Sequence, residues 1–232
     1  MSDARPTIML VHGAWHGSWC WAPVRKALDA NGIATAVVDN PSVAKPGSGL
    51  HADSDNLRAA LDALDGPVVL VGHSYGGAVI SDAGTHPNVQ RLVYLTAFPL
   101  DAGESAMENG LTGGGDMKLP EALEFDGDMI TVEPARVVEL FFHDCAPDVA
   151  AAAAARLRPM SIAAMAGMAR AAAWREKPAS YIVCTDDRAL PVALQYSAAA
   201  RVGEVFEMPT SHSPFLSQPD DLARLLAGFT AR

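Results

Sequence analysis

Gly72-His73-Ser74-Tyr75-Gly76-Gly77 stands between the apolar run Val68-Val69-Leu70-Val71 and the stretch Ala78-Val79-Ile80. A short β-branched run reads as a buried strand, and the stretch after it reads as a helix. The G-x-S-x-G pattern therefore falls on a strand-to-helix turn. Glycines let the backbone turn sharply without a Cβ collision, the serine hydroxyl projects from the top of the sheet, and the helix points its N-terminus at it. Such a nucleophile elbow belongs to a parallel sheet with helices packed on its faces.

The rest of the chain repeats that alternation. Strands are expected at Thr7–His12, Ala34–Asp39, Pro67–Gly72, Arg91–Thr96, Ser180–Thr185 and Glu204–Met208. Helices are expected near Trp21–Ala30, Ser54–Leu64, Ser74–Gly84, Pro191–Ala200 and Asp220–Phe229, with Pro219-Asp220 suited to a helix start. The alternation stops after Phe98-Pro99 and resumes at Ser180. The stretch between begins Gly-rich (Gly110, Gly113, Gly114, Gly115) and continues as helix-like, Ala- and Met-rich sequence, including Ala150–Ala155. That is too long for a loop in a compact domain. The expected organisation is a six-stranded parallel core from residues 1–99 and 179–232, with a mainly helical cap or lid inserted at 100–178. Met160, Met165 and Met168 fit either the packed interior of that cap or the wall of an apolar pocket.

Composition narrows the partners. The 232 residues are 50% hydrophobic and 19% charged, enough to bury one large core. The net charge of −10 repels phosphate backbones and anionic membrane surfaces. Cys20, Cys145 and Cys184 are far apart and lack C-x-x-C spacing, which suggests neither a disulfide framework nor a zinc site. Met1 to Pro6 shows no basic stretch leading into a long apolar one, and the uncharged stretch Pro6–Val24 is broken by His, Gly and Pro. A cytoplasmic protein without a membrane or nucleic-acid partner is expected. His12 and His16 are four apart but lie in a Gly-containing loop with no acid at the metalloprotease position, and both G-x-G-x-x-G and the P-loop pattern are absent. No metal or nucleotide cofactor is implied.

A serine hydroxyl needs an imidazole to accept its proton and an acid to orient that imidazole. The chain order for this turn type is Ser, acid, His. His212, in Pro209-Thr210-Ser211-His212-Ser213-Pro214 after the last expected strand, is the candidate base. The acid is Asp186 or Asp187, at the end of the strand before it. Two backbone N–H groups should receive the oxyanion: that of Tyr75 after the nucleophile, and that of Ala14 in the loop after the first strand, where Gly13 lets the backbone approach a substrate. His73 is expected to point into the core, and His51, His86 and His143 to lie on the surface or the cap. Trp15, Phe98, Met160 and Met165 are candidate pocket walls.

Together these residues resemble the α/β-hydrolase superfamily, in the branch that holds plant methylesterases, hydroxynitrile lyases and small bacterial carboxylesterases. The matching stretches are the elbow, Val11–Trp21, Phe141-Phe142-His143-Asp144-Cys145, Cys184–Pro191 and Ser211–Phe215, and the resemblance spans nearly the whole chain. It implies that the acid is the second of the pair, Asp187, and it admits a homodimer. The S-selective hydroxynitrile lyases of this branch carry Thr after the first His of the first-strand loop and Lys after the catalytic His. Here Gly13 and Ser213 stand at those positions. Epoxide hydrolases and haloalkane dehalogenases place Asp at the elbow, where this chain has Ser74. The expectation is therefore a cofactor-free serine carboxylesterase for small to medium hydrophobic esters. A lyase-like or other non-hydrolytic enzyme on the same triad, or a slow-turnover binding module for small ligands, are the alternatives.

Overall fold

The computed structural model describes residues 5–112 and 118–231, so Gly113, Gly114 and Gly115 of the Gly-rich stretch, and Met1–Ala4, lie outside the described residues. From the N-terminus the elements are β1 (Thr7–Val11), α1 (Ala22–Asp29), β2 (Thr35–Val38), α2 (Leu50–Asp62), β3 (Val68–His73), α3 (Gly76–Ala83) and β4 (Val89–Leu95). The long connection then carries α4 (Ala106–Thr112), β5 (Leu123–Asp126), β6 (Met129–Val132), α5 (Pro134–Phe141), α6 (Pro147–Ala154), β7 (Met160–Ser161) and α7 (Ile162–Ala166). The alternation resumes with β8 (Ala179–Cys184), α8 (Val192–Val202), β9 (Gly203–Met208), the short α9 (Pro214–Ser217) and α10 (Pro219–Gly228).

The six expected core strands form one parallel sheet in the order β2-β1-β3-β4-β8-β9. β3 lies between β1 and β4, and all six of its residues are buried. Strand side chains alternate between faces, so the apolar run divides in two. Val68 and Leu70 pack with Leu57, Val79 and Ile80 of α2 and α3. Val69 and Val71 pack with Val24, Leu28, Leu222 and Leu226 of α1 and α10. A strand buried on both faces has no polar side to reveal, which is why the run is continuous and not alternating.

The connection between β4 and β8 is mainly helical but also holds an antiparallel sheet, β5-β6-β7, that the sequence reading did not anticipate. Its hairpin turns at Asp126-Gly127-Asp128-Met129, where Asp126 pairs with Met129 and Gly127 has φ of 56°. An Asp-Gly pair at a hairpin tip is a legible signal. Met160, expected in a helix, lies in β7, fully buried and paired with Ile130, and it forms a bridge to Val43 of the core. Among the described residues, no helix is long and apolar enough to cross a membrane.

At the elbow a Cβ on Gly72 would lie 2.5 Å from the Gly76 carbonyl oxygen, and one on Gly76 would lie 2.7 Å from that of Val11. Both obstacles are backbone atoms that cannot rotate away. Gly76→Ala is expected to destabilise the protein by about 1–3 kcal/mol, as overpacking of a tight core does. Urea unfolding with an unchanged slope would measure it.

Candidate active site

β3 ends at His73, and the next residue, Ser74, has φ of 52°. A non-glycine residue in this left-handed region costs ~1–2 kcal/mol. The turn is held by Ser74 N–H donating to the Leu95 carbonyl at 3.1 Å and by the Ser74 carbonyl accepting from Gly77 N–H at 2.9 Å.

His212 sits in the loop between β9 and α9, and its Nδ1 is 2.7 Å from Asp187 Oδ2. An ionised carboxylate only accepts, so Nδ1 carries a proton, and in the neutral ring Nε2 is then the acceptor. Asp187 is buried, and its charge is met by four further donors. Oδ1 accepts the N–H groups of Ala189 at 2.8 Å and Leu190 at 2.9 Å. Oδ2 accepts Thr96 Oγ1–H at 2.7 Å and Gln195 Nε2–H at 3.2 Å. Asp186 is exposed and is engaged through its backbone carbonyl, which accepts from His143 Nε2 at 2.9 Å. Geometry thus selects Asp187 over Asp186 as the imidazole's partner.

Thr96 and Gln195 were missed by the sequence reading. Thr96 ends an apolar run and is itself left-handed, with φ of 39°; Gln195 is a buried amide that also bonds the Cys184 and Leu190 carbonyls at 3.1 Å and 2.9 Å. The only sequence signal in either case is a polar residue where burial is expected.

The loop bearing His212 is clamped from behind. His73 Nε2–H donates to the His212 carbonyl at 2.9 Å, Ser211 N–H donates to Asp144 Oδ2 at 2.8 Å, and Ser211 Oγ–H donates to the Phe141 carbonyl at 3.0 Å. His73 therefore does point into the core, where it meets the His212 loop. His12 and His16 are tied to their own loop and do not converge on a metal site: His12 Nδ1 bonds the Gly13 carbonyl at 2.8 Å, and His16 Nδ1 bonds the Ala14 carbonyl at 2.8 Å. Burial pushes His12 down to about 4 and His16 down to about 3. Of the other histidines, His51 is exposed and His86 and His143 are half-buried.

Ser74 and His212 line one cavity with Ala14, Trp15, Tyr75 and Phe98; its empty space is about 780 Å³, open mouth included. Among the described residues no hydrogen bond joins Ser74 Oγ to His212, and the N–H groups of Ala14 and Tyr75 have no acceptor. Gly13 also has a structural reason to be bare. A Cβ there would lie 2.9 Å from Ser74 Cβ and 2.8 Å from His73 Nδ1, so its bareness lets the loop pack on the elbow itself. The wall also takes Met165 from the connection, together with Met107, Leu119, Leu123 and Ile130, which the sequence reading did not name. Met160 is not on it: its side chain is fully buried in the core cluster that also holds Val43 and Ile130, and Met168 is 59% exposed and off the wall.

The model of the alpha/beta hydrolase family matches residues 8–225. The chain is 30% identical over 250 residues to a pyrethroid hydrolase of Sphingobium wenxiniae, covering 96% of this chain and 86% of that one. It is 27% identical over 259 residues to methylesterase 17 of Arabidopsis thaliana, covering 95% and 90% respectively. Among solved structures, a pyrethroid hydrolase from Sphingobium faniae is similar with a TM-score of 0.82, at 25% identity over 97% of each chain.

The buried imidazoles give stability a pH dependence of definite sign. Below the ordinary value of 6.5 the unfolded chain protonates His12 and His16 while the folded chain does not, until about 4 and about 3 respectively. Stability should therefore fall as pH drops through this window, by ~1.4 kcal/mol per pH unit for each histidine. Denaturant unfolding at a series of pH values should show that slope. His16→Asn, which can keep a donor toward the Ala14 carbonyl, should show a shallower one whatever its absolute stability.

Proposed function

The chain belongs to the alpha/beta hydrolase family, and from that premise we propose that it is a serine carboxylesterase acting on small to medium hydrophobic esters. One observation carries the reading: a left-handed Ser74 and an imidazole tethered to Asp187 at 2.7 Å stand on the wall of one cavity. Ser74 Oγ attacks the ester carbonyl carbon as His212 Nε2 takes its proton. The carbonyl oxygen becomes an oxyanion received by the Ala14 and Tyr75 N–H groups, which have no competing acceptor to break from. Asp187 holds the resulting imidazolium. When the adduct collapses, the bond to the alcohol oxygen breaks and His212 delivers the proton to it. Water, deprotonated by His212, then attacks the acyl-serine and releases the acid and the free Ser74 hydroxyl. The contact between Ser74 and His212 is expected to close when substrate enters, as such contacts often do.

The cavity supports the substrate class. Apart from Ser74, Tyr75 and His212 its lining side chains are apolar, which suits a hydrophobic ester. The Tyr75 hydroxyl is already bonded to Asp53 at 2.6 Å, so no charged or free polar side chain waits for a charged substrate. Residues 100–178 serve in this reading as the cap, contributing Met107, Leu119, Leu123, Ile130 and Met165 to the wall. The lyase alternative is disfavoured by space: a threonine at position 13 would bring its Cβ to within 2.9 Å of Ser74 Cβ.

Hydrolysis of p-nitrophenyl esters of increasing chain length tests the proposal. Ser74→Ala and Asp187→Asn should each lower kcat/KM by roughly 10³-fold or more with the fold intact. A fluorophosphonate should label Ser74 stoichiometrically and abolish turnover. An unlabelled Ser74 in folded protein would sink the esterase assignment.

A further inference from the structure

The Ala14 and Tyr75 N–H groups follow different strands, yet both residues are anchored to one stretch of the connection, residues 158–161. On the Ala14 side the anchor is Trp15, left-handed with φ of 61°. Its carbonyl accepts from Arg158 N–H at 2.9 Å, and its indole N–H donates to the Ile130 carbonyl at 3.0 Å. On the Tyr75 side the path runs through the core. The Tyr75 hydroxyl donates to Asp53 Oδ2 at 2.6 Å. The same carboxylate accepts Ser42 N–H at 2.8 Å and Ser42 Oγ–H at 2.6 Å. The Ser42 carbonyl accepts from Ser161 N–H at 2.9 Å, and Ala44, left-handed with φ of 74°, donates its N–H to the Pro159 carbonyl at 2.7 Å.

We propose that Asp53 is a positioning residue for the oxyanion hole: it fixes the residue bearing the Tyr75 N–H through the tyrosine hydroxyl. Through Ser42 it ties that residue to the inserted segment that also holds Trp15 beside Ala14. The inference rests on the esterase reading above. Asp53, Ser42 and Tyr75 are all buried, and neither Asp53 nor Ser42 lines the cavity, so the carboxylate acts only through Tyr75. Three donors converge on it, and an acceptor-only group satisfies all of them. Asparagine can keep its oxygen on Ser42 N–H only by turning its amide toward the two hydroxyls, which must then accept and leave their own protons without this buried acceptor, so the far end of the Tyr75 side chain is held less tightly. Because the oxyanion contact matters most in the transition state, a loosened donor should reduce kcat more than it raises KM.

The test compares wild type, Asp53→Asn and Tyr75→Phe on the best p-nitrophenyl ester, with kcat expressed per fluorophosphonate-labelled Ser74. A trifluoromethyl ketone, which forms the tetrahedral adduct with the serine, is titrated in parallel. In both variants kcat per labelled site should fall roughly ten- to hundredfold with KM within about twofold, and the ketone should lose affinity by a similar factor. Tyr75→Phe conserves the ring in its packed site, so it answers the question if Asp53→Asn does not fold. A reduced labelled fraction with unchanged kcat per site would show Asp53 to be structural support only and would overturn the proposal. Wild type without any Ser74-dependent turnover would remove the esterase reading instead, and the proposal with it.

Discussion

Ser74 can hold a φ of 52° because β3 leaves it no alternative. The strand is buried on both faces and hydrogen-bonded on both edges, and α3 begins at Gly76, two residues after the serine. The chain must turn within that space. Left-handed backbone of this kind persists only where its surroundings over-determine it, and here the surroundings are backbone atoms: the Gly76 carbonyl beside Gly72 and the Val11 carbonyl beside Gly76. The loop after β1 is in turn pressed against the elbow at Gly13. The strained serine, the bare glycines and the close approach of β1 and α3 are thus one constraint seen from three sides.

The same concentration of strain marks the rest of the site. Trp15, Ala44 and Thr96 are the other non-glycine residues with positive φ among those described, and each is held by a hydrogen bond to a distant part of the chain. Thr96 N–H donates to the Ile182 carbonyl at 2.9 Å while its hydroxyl donates to Asp187. An isolated buried carboxylate is costly, and Asp187 is tolerable because Thr96, Gln195 and two backbone N–H groups share its charge with His212. These donors also leave its Oδ2 little freedom to move. An imidazole held by such an acceptor keeps its proton on Nδ1, so its tautomer follows from the carboxylate's surroundings and not from the ring alone.

What could be read from the sequence follows from where burial is two-sided. All six core strands were legible, because Val68–Val71 and its counterparts are apolar runs bounded by turn residues. The small antiparallel sheet was not, because β5 is mostly exposed, β6 alternates over only four residues and β7 has two. Length and composition there resemble helix, and only Asp126-Gly127 betrays a hairpin. In the site, Ser74 and His212 stood out because motif and chain order point to them, whereas Asp186 and Asp187 are adjacent and identical in type. Only burial and the 2.7 Å contact distinguish them. Thr96, Gln195 and Asp53 matter through partners up to ninety-one positions away, and no local spacing encodes such contacts.

The connection between β4 and β8 is more than a cover in this arrangement. It supplies apolar side chains to the cavity, its Phe141 and Asp144 hold the His212 loop, and residues 158–161 bond the loops after β1 and β2. The side chains that the connection places on the cavity are apolar, while hydrogen bonds tie it to the loops that carry Trp15, Ser42 and His212. An apolar wall lowers the local dielectric, and that strengthens any polar interaction made inside the cavity. Changing a residue of this connection off the cavity wall therefore also disturbs the elbow, because the loop after β1 is bonded to the one and packed on the other.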